Sequence, residues 1–174
     1  MPRVQSFAPI ANAGARVLIL GSMPGTASLA AGQYYAHPQN LFWRILGEIT
    51  GAGSDLPYAA RVRALKSGGI ALWDVLESCA REGSLDSSID DASISVNDFA
   101  SFYRAHRRIT HVFFNGAKAE ACYRRHALPL LIQAPPICRR LPSTSPANAS
   151  MSRTHKQDIW KEALKRALTD RRAN

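Results

Sequence analysis

Val17-Leu18-Ile19-Leu20, stopped by Gly21-Ser22-Met23-Pro24-Gly25, is the stretch that decides the fold. Four consecutive apolar residues closed by glycine are too short for a helix and read as a strand buried on both faces. Two further runs repeat the pattern, Ile70-Ala71-Leu72-Trp73 and His111-Val112-Phe113-Phe114, and Ile137-Cys138-Arg139-Arg140-Leu141 reads as the fourth strand. Helical stripes separate them. Phe42, Ile45, Leu46 and Ile49 recur at helical spacing and end at Gly51, and residues 58–66 form a second stripe ended by Gly68-Gly69. Helices are also expected over 98–106, 117–126 and 152–168, the last with Ile159, Ala163, Leu164 and Ala167 on one face and Lys156, Lys161, Lys165 and Arg166 elsewhere. Short apolar strands alternating with helices predict an α/β domain whose parallel sheet is covered on both faces. Residues 77–97, rich in Ser and Asp, show no period that assigns them. The 171–174 tail is expected to fray.

A chain of 174 residues is read as one domain, with a core over about 7–168. It has no apolar run long enough to span a membrane, and Met1-Pro2-Arg3-Val4-Gln5-Ser6-Phe7 lacks the apolar core of a secretory signal. The expected location is therefore cytoplasmic. A formal charge of +9 suits a polyanionic partner, or equally a basic surface that is only solvated. The three cysteines, Cys79, Cys122 and Cys138, stand far apart, so neither a metal site nor a four-thiolate cluster is expected. Cys122 and Cys138 lie beside apolar residues and read as buried thiols. No Gly-x-Ser-x-Gly, Walker or Gly-x-Gly-x-x-Gly motif occurs, which removes support for an elbow hydrolase or a nucleotide cofactor; none is expected.

In an open α/β sheet the loops at the carboxyl ends of the strands converge on one crevice, and ligands bind there. Two segments follow strands in this way. One is Gly21 to Gly25 running into Tyr34-Tyr35-Ala36-His37-Pro38-Gln39-Asn40-Leu41-Phe42-Trp43. The other is Leu141-Pro142-Ser143-Thr144-Ser145-Pro146-Ala147-Asn148-Ala149. Both offer backbone N–H groups and neutral hydrogen bonds, which suit a polar heterocycle and a phosphate backbone. On residues alone several roles stay open. Asn40 can cap a helix beginning at Leu41. His37 can be a structural hydrogen-bonder, Tyr34 and Tyr35 packed aromatics, and Asn115 a turn residue before Gly116. Arg139, Arg140, Arg153 and Lys156 can contact a nucleic-acid backbone or be solvated charges.

With Leu72-Trp73-Asp74-Val75, Arg81-Glu82-Gly83-Ser84-Leu85-Asp86 and Phe114-Asn115-Gly116 added, the chain resembles the hypoxanthine-DNA glycosylases, or DNA-deoxyinosine glycosylases, of the uracil-DNA glycosylase superfamily. The resemblance implies a three-layer fold with a four-stranded parallel sheet in the order 2-1-3-4. It implies a monofunctional, monomeric enzyme of base excision repair whose partner is double-stranded DNA holding a deaminated base. Asn40 would orient the attacking water, the Ser22-Met23 backbone and Asn115 would bind the base, and Tyr35 would stack on it. Gly25, His37, Ser143, Thr144, Ser145, Pro146, Ala147, Asn148 and Arg153 would contact the DNA. Two residues depart from other branches. Met23 replaces the Asp or Asn that positions water there, and a thioether accepts hydrogen bonds only weakly. Leu141 replaces a His or Asn, so no imidazole assists a departing uracil. A uracil or G/U mismatch glycosylase, and a catalytically silent lesion-binding module, are the alternatives. If the positive charge serves phosphates, duplex affinity will fall steeply with salt, each contact adding about −0.9 to the slope of log K against log[salt]. Fluorescence anisotropy across a salt series measures that slope.

Overall fold

The computed structural model describes residues 1–170, so the 171–174 tail, expected to fray, lies outside the described residues. The elements run β1 (Arg3–Gln5), β2 (Val17–Gly21), α1 (Thr26–Ala31), α2 (Phe42–Thr50), α3 (Tyr58–Ser67), β3 (Ile70–Asp74), β4 (Leu76–Arg81), β5 (Ile89–Val96), α4 (Phe99–Ala105), β6 (His111–Asn115), α5 (Ala117–Cys122), β7 (Ile137–Leu141) and α6 (Arg153–Thr169). Four strands pair in parallel as β3-β2-β6-β7, the expected order 2-1-3-4 of the four strands foreseen from sequence.

β2 is central and its apolar residues are 0% exposed. Because successive side chains of a strand point to opposite faces, its residues divide between two cores. Leu18 and Leu20 join Val112 and Phe114 beneath α4 and α5, together with Phe99, Phe102 and Tyr103. Val17 and Ile19 join Leu72 and Phe113 beneath α2, α3 and α6, together with Phe42, Ile45, Leu65 and Trp160. Each large side chain so buried contributes about 1.5–3 kcal/mol. The helix–sheet–helix layering follows from these two apolar faces.

The segment left unassigned by its sequence forms most of a second sheet, β1-β4-β5, paired antiparallel. Its alternation is hidden by register shifts between Leu76 and Ser78 and between Ser78 and Ala80. The short β1 and α1 also carried no periodic signal. Helix 117–126 is regular only to Cys122 and then widens into a π-helical turn, Tyr123–Ala127. Cys79 and Cys122 are buried, whereas Cys138 is half-buried rather than enclosed. Lys156 departs further from expectation. It is buried, with its stem against the fold and its ammonium donating to the Asn148 carbonyl, so it ties α6 to the loop before it. Among the described residues no helix is long and apolar enough to cross a membrane.

Gly47 shows why one helix needs a residue of low helix propensity. A Cβ there would lie 2.7 Å from the Gly53 Cα and 3.0 Å from the Ala52 carbonyl oxygen, both backbone atoms. In an open helix Gly→Ala stabilises by about 1 kcal/mol. Here Gly47→Ala is expected to destabilise instead, by about 1–3 kcal/mol of overpacking, read from urea midpoints.

Candidate functional site

In-register parallel pairing brings the carboxyl ends of β2, β3, β6 and β7 to one edge: Gly21 opposes Asp74, Leu20 opposes Phe114, and Asn115 opposes Leu141. Beyond that edge lies a cleft of about 1300 Å³ walled by the loops that follow these strands. Ser22, Met23, Gly25, Tyr35, His37, Asn40, Asn115 and residues 143–148 all line it. Arg153 does not; it is exposed on the first turn of α6.

The loop after β2 is held by the second sheet. Arg81 on β4 donates to the Pro24 carbonyl at 2.5 Å, and the Thr26 N–H donates to Ser84 Oγ at 2.7 Å. Ser22 Oγ donates to Asp86 Oδ1 at 2.5 Å, so its hydroxyl is engaged at the cleft wall. Met23 sends its side chain into the core among Leu20 and Val75. These anchors sit in the 81–86 stretch, which the sequence reading matched as a motif without giving it a role.

Tyr34 fixes the next segment: its hydroxyl donates to the Ala8 carbonyl at 2.8 Å, and Trp43 Nε1 donates to the Tyr34 carbonyl at 2.7 Å. Tyr35 then turns with φ 53°, a left-handed conformation disfavoured for a bulky residue. The turn stacks its ring on Phe42, centroids 4.1 Å apart. Phe42 is fully buried, so the ring that meets the cleft is Tyr35. The Tyr35 hydroxyl is buried. Burial, and then the charge of Asp74, push its phenol well above the usual range, while a hydrogen bond with the Asn115 side chain pulls the other way.

Asn40 is not the helix cap that was expected: the cap position falls to Leu41, and Asn40 instead closes the turn that leads into the helix. α2 starts at Phe42, and the Phe42 N–H donates to Asn40 Oδ1 at 3.0 Å. An amide oxygen has two lone pairs, so one remains for a water. His37 accepts from the Gln39 N–H through Nδ1 at 3.2 Å, which leaves Nε2 as the nitrogen for an outside partner.

Across the cleft, Asn115 grips the last loop with both ends of its amide. Thr144 N–H donates to Asn115 Oδ1 and Asn115 Nδ2 donates to Thr144 Oγ1, each at 2.9 Å. Thr144 is 1% exposed, so its hydroxyl serves this clamp and is not free for the phosphate contact expected of it. The same residue's carbonyl accepts from the Leu41 N–H at 3.1 Å, joining the two distant segments directly. Gly116, at φ 96°, allows the close approach: a Cβ there would lie 3.2 Å from Ser143 Cβ. Trp160 Nε1 holds the Pro142 carbonyl at 2.8 Å. Pro146 and Ala147 remain exposed, and Lys118, Arg139 and Arg140 supply positive charge along the wall.

A match to the uracil DNA glycosylase superfamily spans residues 8–168. The chain belongs to that superfamily. Among its relatives are two proteins named hypoxanthine DNA glycosylase. One, from Methanosarcina barkeri (strain Fusaro / DSM 804), is 38% identical over 93% of this chain and 98% of its own length. The other, from Methanosarcina acetivorans, is 35% identical over 92% and 98% respectively. A solution NMR structure of a Methanosarcina acetivorans protein, named as a candidate uracil DNA glycosylase, superposes with a TM-score of 0.79. It is 33% identical and covers 95% of this chain and 99% of that one.

Within this superfamily cleft one further residue stands out that had been matched only as part of a motif. Asp74, the last residue of β3, lines the cleft yet is 3% exposed. Its Oδ2 is buried without a hydrogen-bond partner among the described residues. Burial, and then the nearby Asp86 charge, push its carboxyl from the usual 3.8 to about 7, with Arg81 pulling the other way. A carboxyl raised on folding stabilises the fold fully below its unfolded value and loses that contribution as pH rises through its folded value. Wild type should therefore weaken between about pH 5 and about pH 8 relative to Asp74→Asn. The loss is about 1.4 kcal/mol for each pH unit over which the carboxyl is neutral in the folded protein and ionised in the unfolded chain. Urea unfolding of both proteins at the two pH values checks the sign.

Proposed function

We propose that the protein is a monofunctional DNA glycosylase that hydrolyses the N-glycosidic bond of deoxyinosine in double-stranded DNA, working as a monomer in the cytoplasm. The observation that carries this reading is the pairing of an amide, Asn40, on the cleft wall with a Met23 side chain turned into the core. No carboxylate of the β2 loop is left to activate water. The relatives named hypoxanthine DNA glycosylase, which cover nearly the whole chain, support the same substrate.

Base extrusion costs a few kcal/mol and least at a poor pair, such as hypoxanthine opposite thymine. Ser143, Ser145 and the wall cations would hold phosphates, and Pro146 and Ala147 would face the minor groove. The extruded purine would stack on Tyr35, worth about 1–3 kcal/mol, and Asn115 would offer it the N–H and lone pair not spent on Thr144. The C1′–N9 bond then breaks with its electron pair passing to the purine. Water held by Asn40 Oδ1 adds its oxygen to C1′, and its proton ends on the released base or in solvent. Fixed backbone dipoles at Ser22 and Met23 would stabilise the departing charge. An amide is a weak base, which suits a dissociative reaction in which the sugar develops cationic character before water attacks.

Single-turnover excision from duplexes with one lesion tests this. Deoxyinosine should be processed faster than deoxyuridine, since Leu141 is buried and offers no donor to uracil. Asn40→Ala should lose more than about 10²-fold in rate, with a separate stability cost of about 1 kcal/mol from the lost hydrogen bond to the Phe42 N–H. An Asn40→Ala protein as active as wild type overturns the mechanism. Binding without release of any base identifies a silent lesion-binding module.

A further inference from the structure

We propose that Asp74 meets the extruded base directly, as a neutral carboxylic acid that donates to the base's carbonyl oxygen and accepts from the adjoining ring N–H. This deepens, and rests on, the reading of the protein as a hypoxanthine glycosylase. The first support is position. Asp74 ends the strand beside β2, its Cα partner is Gly21, and its Oδ1 would lie 2.5 Å from a Cβ placed on Gly21. The Tyr35 hydroxyl lies 2.9 Å from that same point. Glycine at position 21 thus lets a carboxyl and a phenol close in against its backbone at the cleft wall, where any side chain would displace them. The second support is that Asp74 Oδ2 is buried there without a partner among the described residues. Buried polar atoms are nearly always paired, so this one asks for a ligand that brings a complementary group.

The chemistry of the base decides between forms of the carboxyl. Hypoxanthine presents O6 as acceptor beside N1–H as donor. A protonated carboxyl presents one donor and one acceptor and pairs with both; an ionised one has only acceptors and repels O6. That repulsion grows as the C1′–N9 electron pair spreads into the departing purine. A neutral Asp74 therefore stabilises the leaving group from the β3 side, where Leu141 on β7 contributes no donor. Asp74 keeps its own proton throughout; it donates a hydrogen bond and does not transfer the proton. The groups facing it are Asp86, which disfavours its ionisation, Arg81, which favours it, and the neutral phenols Tyr34 and Tyr35.

The experiment is single-turnover release of hypoxanthine from a duplex with one deoxyinosine opposite thymine, followed from about pH 5.5 to about pH 9. Melting curves and duplex binding are measured alongside for each protein. Wild type should slow about tenfold for each pH unit above about 7. Asp74→Ala should lose about 10²–10³-fold at every pH. Asp74→Asn keeps one donor and one acceptor but cannot ionise, so it should remain active and lose the alkaline decline. Asp86→Asn removes a like charge and should move that decline to lower pH. Asp74→Ala cleaving at the wild-type rate, or Asp74→Asn keeping the wild-type pH profile, overturns the assignment; the second comparison decides if the alanine variant does not fold. Wild type that releases no hypoxanthine overturns the glycosylase reading and this inference with it. Active wild type with unaffected variants overturns the inference alone.

Discussion

The in-register pairing of β2 with its two parallel neighbours is the constraint on which the rest of the molecule depends. It holds every residue of β2 out of water, gives each face of the sheet its own apolar core, and levels the carboxyl ends of the strands. A slip of one residue would move each core side chain to the opposite face. It would also part Gly21 from Asp74 and Asn115 from Leu141, so core and cleft are set by one geometry.

Much of the polar chemistry at the cleft is spent on backbone rather than on any ligand. Asn115, Lys156 and Trp160 each hold a backbone group of the last loop, while Ser22 holds the Asp86 carboxylate and Thr144 closes the clamp with Asn115. Such bonds contribute about 1 kcal/mol each, but leaving one unmade in a buried place costs more. The loops are thereby fixed before any ligand arrives, which is what a site working through oriented dipoles requires. Against this background the buried Asp74 Oδ2 and the Nε and Nη1 of Arg81, unpartnered among the described residues, stand apart.

The central sheet was legible because three apolar runs stopped by glycine or a polar residue, with a fourth short segment ending at Leu141, leave few alternatives, and the long amphipathic helices showed their period. The cleft was legible in outline for the same reason: loops at strand ends converge. The second sheet was not, because β4 and β5 pair through irregular register and leave most of β5 half-buried, so no clean alternation reaches the sequence. Nor could the sequence show that Lys156 would be buried, since a lysine off the apolar stripe reads as solvated until a carbonyl is found for it. Asp74 was visible only as a letter in a matched motif. Its significance lies in burial beside Asp86 and in the absence of a partner, both properties of the assembled structure.

β7 closes one side of the central sheet, and Ile137, Arg139 and Arg140 are exposed along it. An open edge strand with an apolar residue on show is a template for pairing with another chain, and charged side chains are a common defence. The two arginines therefore serve solubility as well as any contact with phosphate. Neutralising them to weaken nucleic-acid binding would also strip the guard from this strand. Aggregation in such a variant would then be a property of the bare sheet edge rather than of the cleft.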